Sequence, residues 1–160
     1  MPGINSKLKE LAKNVRNPAW LCFVWFGMTA GISLLEAPVK FLAPTLTRPV
    51  ALDVGRVVFQ ALNKAELVAL ILLLLLVRLS GQARQLWAGC VAIIVIMMAQ
   101  SIWLLPLLSS RSELIVSGIE PAPSIAHAAY ATTELAKLLL LLVLGFRSLR
   151  ILGTQAQYKQ

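Results

Sequence analysis

The residues best suited to chemistry are charged and polar side chains set at helical intervals inside apolar runs. His127, Tyr130, Glu134 and Lys137 stand three, four and three residues apart, which puts them on one stripe of an α-helix. That spacing lets Tyr130 and Lys137 both reach Glu134. Earlier in the chain Asp53, Arg56, Gln60 and Asn63 share a helical face, with Glu66 at its edge and Lys64 close to Gln60. Thr29, Ser33, Glu36 and Lys40 form a third stripe, and Gln100 interrupts another apolar run. Carboxyls beside lysines in apolar surroundings can exchange protons or cations, act as general bases, or fix helix register as buried ion pairs. Two such pairs are expected here, Glu134 with Lys137 and Glu66 with Lys64.

The elements that must position these groups follow from composition. Of 160 residues 58% are apolar and 14% charged, and mean hydropathy is +0.78, which is too oily for an ordinary soluble domain. A bilayer core about 30 Å thick takes roughly 20 apolar residues per helix, so the chain holds four spans and no separate soluble domain. The expected fold is an all-α integral membrane protein, a four-transmembrane-helix bundle. Residues 1–17 form a cytoplasmic amphipathic segment, with Leu8, Leu11, Ala12 and Val15 opposite Lys9, Lys13 and Arg16. The spans cover residues 19–37, 52–79, 87–108 and 124–149, and residues 150–160 form a cytoplasmic tail. The proline-bearing stretches 38–49 and 111–123 read as non-helical links.

Basic residues orient the bundle. Lys7, Lys9, Lys13 and Arg16 precede the first span, Arg78 and Arg84 separate the second and third, and Arg147, Arg150 and Lys159 follow the fourth. The other side carries only Lys40, Arg48, Arg56 and Arg111. Both termini are therefore expected in the cytoplasm, with the chain in a membrane of the bacterial inner (plasma) membrane kind. The net charge of +8 is what short cytoplasmic loops supply, so no nucleic-acid partner is expected. Cys22 and Cys90 read as buried thiols, and Gly27-x-x-x-Gly31 as a contact packing the first helix within the bundle.

The halves can be laid on one another. Residues 28–35 match 98–105, and Glu66-Leu67 with its leucine run and Arg78 matches Glu134-Leu135 with its leucine run and Arg147. This suggests two tandem helical hairpins, although leucine-rich spans resemble each other by composition alone. At ~1.5 Å per residue, Glu66 and Glu134 both lie roughly 16 to 18 Å from the cytoplasmic ends of their helices, near mid-membrane.

Ala37-Pro-Val-Lys-Phe41, then Val54-Gly-Arg-Val-Val-Phe59 and Asn63, resembles the pattern of small four-span proteins of a domain-of-unknown-function family, similar to the transmembrane protein 205 group. In that pattern the first span ends in an alanine-proline-x-x-phenylalanine element and a glycine and phenylalanine open the second. The resemblance implies four spans and no particular activity.

Polar groups in the middle or outer part of every span, with an apolar cytoplasmic half, point to a polar cavity on the non-cytoplasmic side. The preferred function is binding, and translocation, of a small polar solute or ion, with Glu66 and Glu134 exchanging protons or cations. Lys64 and Lys137 are their partners, His127 and Tyr130 guard the mouth, and Asn63 and Glu36 complete the polar lining. A membrane-embedded enzyme acting on a lipid or quinone, or a non-catalytic subunit of a larger complex, are the alternatives, and a homo-oligomer is open. No metal spacing, phosphate loop or nucleophile elbow is present, a single histidine excludes a bis-histidine haem within one chain, and no cofactor is named.

Overall fold

The computed structural model describes residues 3–157, and among these there is helix but no strand. A short helix α1 (Ile4–Val15) precedes four long helical runs: α2 (Ala19–Leu42), α3 (Arg48–Leu79), α4 (Ala83–Val116) and α5 (Ala126–Gln157). Lys159 lies outside the described residues, as do the side chains of Lys7, Lys9 and Lys13. On α1, Ile4, Leu8, Leu11 and Val15 are all exposed. Between α1 and α2 the side chain of Asn17 accepts the Ala19 amide at 2.8 Å, capping α2, with Pro18 in the first turn where no amide is needed. Buried Asn17 also accepts from the Ser148 hydroxyl at 2.8 Å, and that hydroxyl lies 2.6 Å from Gln82. The start of α2, the turn before α4 and the end of α5 are thus tied at one end of the molecule, called here the terminal end.

Two of the expected links are partly helical. α2 runs through Pro38 to Leu42, and α4 runs through Pro106 to Val116. Each proline stands two residues after a π-helical turn, Gly31–Glu36 in α2 and Gln100–Leu104 in α4. A proline ring collides with the carbonyl four residues back, here that of Leu34 or Ile102, and a wider turn at that carbonyl lets the helix continue. The polar stretch beyond Pro106 also stays helical, and its serines turn back onto the helix: Ser110 to the Leu107 carbonyl, Ser112 to Leu108 and Ser117 to Glu113. Likewise α5 continues past residue 149 to Gln157. Gly81 and Gly118, at φ 73° and 80°, end α3 and α4 in the left-handed conformation that glycine adopts without strain.

The core fills the terminal half. Cys22, Trp25, Leu73, Cys90, Ile93 and Leu141 are at most 1% exposed, and both thiols are free. Packing is tight enough there that a Cβ on Gly89 would meet Leu144 at 2.5 Å. Gly27 and Gly31 face outward with nothing near them, so this pair does not pack α2 within the bundle as expected.

The surface is inverted relative to a soluble protein. Ile71, Val95, Ile102 and Trp103 are each more than three-fifths exposed, whereas Glu66, Gln100 and Lys137 are 0% exposed. α2 and α4 are long and apolar enough to cross a membrane. α3 and α5 carry Lys64 and Glu66, or Glu134 and Lys137, within their apolar runs.

Candidate functional site

All four long helices send a polar side chain to one point midway along the bundle. Lys137 of α5 places its Nζ 2.7 Å from Glu66 of α3, 2.9 Å from Glu134 Oε2 one turn earlier on α5, and 2.9 Å from Gln100 Oε1 of α4. From α2, the Trp25 indole N–H and the Thr29 hydroxyl both donate to Glu66 Oε1, at 2.9 and 2.8 Å. The Ser33 hydroxyl, one turn further along α2, lies 2.7 Å from Glu134 Oε1. Gln100 completes the set by donating to Glu134 Oε2 at 2.7 Å and to Thr133 at 3.1 Å. Trp25, Thr29 and Ser33 reach both carboxylates because a four-residue spacing keeps them on one face of α2. Among the described residues no fully buried side-chain nitrogen or oxygen is without a partner.

This arrangement corrects the expected pairing. Lys64 does not meet Glu66: two residues along a helix turn the side chain by about 200°, and Lys64 is exposed while Glu66 is sealed. Lys137 serves both carboxylates instead, so the centre holds two acidic groups and one ammonium. Asn63 donates to Ser101 at 2.8 Å and stays outside the centre, and Glu36 pairs with Lys40 at 3.4 Å further along α2. The sequence reading missed Trp25, whose indole looks like core until its spacing from Thr29 and Ser33 is counted, and it left Gln100 without a role.

Glu134 and Ser33 also form part of the wall of a cavity of about 640 Å³ in the half away from the terminal end. The expected polar cavity is in fact mainly apolar. Its walls include Leu34, Phe41, Leu52, Phe59, Leu105 and Leu108, because the outward polar residues of α3 and α4 pair with one another at its rim. There Arg56 bonds Asp53 and Glu113, both at 2.8 Å. Lys40 lies 5.6 Å from the Phe59 ring centroid and 5.8 Å from that of Phe41. Its ammonium rests on Gly55, where a Cβ would stand only 2.6 Å away, so glycine makes room for it. His127, exposed, and Tyr130, buried, line the same space. Tyr130 is only 6% exposed and packs edge-on to Phe59 at 5.5 Å, yet its hydroxyl has no hydrogen-bond partner among the described residues. Tyr130 does not bond Glu134 in the way its four-residue spacing suggests; a hydroxyl on the wall of a cavity is not forced to find a protein partner. On the other side of Lys137 the packed Leu73, Met97 and Leu141 close the way to the terminal end.

Comparison with known protein families, with curated proteins and with solved structures finds no match to this chain.

Proposed function

We propose that the chain is a four-span integral membrane protein in which the Glu66–Lys137–Glu134 centre binds one proton or small cation, admitted through the cavity, as a step in binding and translocating a small solute. One observation carries the reading: two carboxylates share a single ammonium in a buried site. Groups buried this deeply are stable in pairs, and an unbalanced charge in a low dielectric costs several kcal/mol. The centre therefore favours one further positive charge. Glu134 is the member in contact with the cavity, so exchange takes place there.

The membrane reading rests on the inverted surface, with apolar side chains outside and ionisable ones inside. Arg16, Arg78, Arg84, Arg147 and Arg150 gather at the terminal end, which is placed in the cytoplasm, and the cavity then opens on the other side. The resemblance to the transmembrane protein 205 group fits this architecture. Among the residues that carry it, Ala37, Pro38, Lys40, Phe41, Gly55 and Phe59 line the cavity.

Infrared difference spectroscopy on purified protein tests the centre, combined with thermal unfolding in sodium, potassium and choline salts. The expected result is a protonated-carboxyl band that titrates and is absent from Glu134→Gln, or a stabilisation specific to one small cation that the same substitution removes. A protein that shows neither holds its three charges without exchange, and the centre then only fixes helix register.

A further inference from the structure

We infer that the cavity receives a lipophilic cation, held by apolar and aromatic walls with its charge toward Glu134, in competition with the proton or small cation of the centre. The inference rests on the reading of the centre as one positive charge short, and adds the chemical class of the solute.

The walls argue against a hydrated solute. A sugar or an inorganic oxyanion would forfeit its hydration against Leu52, Leu105, Leu108 and the rings of Phe41 and Phe59. An apolar molecule gains from the same surfaces, and about 640 Å³ falls within the range that holds drug-sized ligands.

The sign of the charge comes from the ion pairs. At the rim Lys40 is matched by Glu36, and Arg56 is shared by Asp53 and Glu113. Arg111, which donates to the Ala122 carbonyl at 2.6 Å and has no carboxylate partner among the described residues, balances the second of those acids. The rim is thus neutral in sum, and the uncompensated negative charge is the one at the floor. Tyr130 stands above that floor with an aromatic face and a hydroxyl that has no partner among the described residues, both attractive to a cation. The groups facing Glu134 are Ser33 from α2, Glu66 from α3, Gln100 from α4, and Lys137 and Tyr130 from α5, with His127 further out toward the mouth.

Competition fixes the sign of the pH dependence. A proton at Glu134 removes the charge that holds the ligand, so cation affinity falls as pH falls, by up to about tenfold per pH unit for a single shared proton. The test uses two ions of one shape and opposite charge, tetraphenylphosphonium and tetraphenylborate, with saturable binding measured against protein-free micelles. The expected result is saturable phosphonium binding that weakens in acid, no saturable borate binding, and loss of phosphonium binding in Glu134→Gln that still unfolds cooperatively. Preference for the borate would mean that Lys40, Arg56 and Arg111 govern the cavity, and would overturn the inference. So would phosphonium binding that is independent of pH, a comparison that needs no variant. A titrating carboxyl band without phosphonium binding would leave the exchange centre standing and remove only this ligand class, whereas absence of both would remove the two together.

Discussion

Glu66 and Glu134 are both buried carboxylates followed by a leucine run, yet their surroundings differ in kind. Around Glu66 stand an indole N–H, a threonine hydroxyl and the Lys137 ammonium, and the cavity does not reach it. Around Glu134 stand the Ser33 hydroxyl, the Gln100 amide and the same ammonium, and the cavity does reach it. Three positions further along each helix the first half has Ala69 and the second has Lys137. The two carboxylates thus share one lysine. Indole and ammonium can only donate, so Glu66 must accept from them, whereas a serine hydroxyl can donate to a carboxylate or accept from a protonated acid. On the proposed function, Glu66 holds Lys137 in place and Glu134 is the carboxylate that exchanges.

The largest expected effect is from Lys137→Met, which leaves both carboxylates buried without a cation. Breaking a buried ion pair from one side costs about 3 to 5 kcal/mol, so the variant should unfold far below the parent in a thermal scan in detergent. Adding Glu134→Gln to it should not restore stability, because Glu66 stays uncompensated. If that double variant were as stable as the parent, Lys137 and Glu134 would be a private pair and the contrast drawn above would be wrong.

Next in size is the contrast between Glu66→Gln and Glu134→Gln, since both make the centre formally neutral but only one can be rewired. In Glu134→Gln the new side chain can turn its amide to the Ser33 hydroxyl and keep its carbonyl toward Gln100 and Lys137. In Glu66→Gln the amide would have to aim at the Lys137 ammonium or at the indole, a donor facing a donor. Leaving a buried polar group unmatched costs about 1 to 3 kcal/mol, so Glu66→Gln should be the less stable by that margin in chemical or thermal unfolding. Equal stability of the two would show that the centre does not distinguish its carboxylates.

Much of this is legible in the sequence, and what is not follows from residues rather than from elements. The helical class, the stripe of His127, Tyr130, Glu134 and Lys137, and the shared depth of the two glutamates follow from periodicity and helix rise. Periodicity within a helix does not say which neighbour it faces, so sequence alone pairs Glu66 with nearby Lys64 and not with Lys137 on another helix. The continuation of α2 and α4 through Pro38 and Pro106 is hidden because a π turn has no strong residue signature, whereas proline is a strong signal to stop. The apolar lining of the cavity is hidden because polar residues in the half away from the terminal end satisfy one another, as Arg56 does with Asp53 and Glu113.

The smallest expected change in stability, and the one that separates ligand from scaffold, belongs to Tyr130→Phe. The ring keeps its edge-on contact with Phe59, and the hydroxyl removed has no partner among the described residues, so no hydrogen bond is broken and no buried group is orphaned. Stability should stay within about 0.5 kcal/mol of the parent, as for a substitution that touches no special feature. The effect should appear in ligand affinity, where loss of a hydroxyl acceptor near a bound cation weakens saturable tetraphenylphosphonium binding by about the fivefold that ~1 kcal/mol represents. A fall in stability of more than about 1 kcal/mol would instead show that the hydroxyl is bonded in the folded protein, for instance through an ordered water to Glu134. The space above Glu134 would then be part of the scaffold, and the difference between the two glutamates would be one of hydration and not of access.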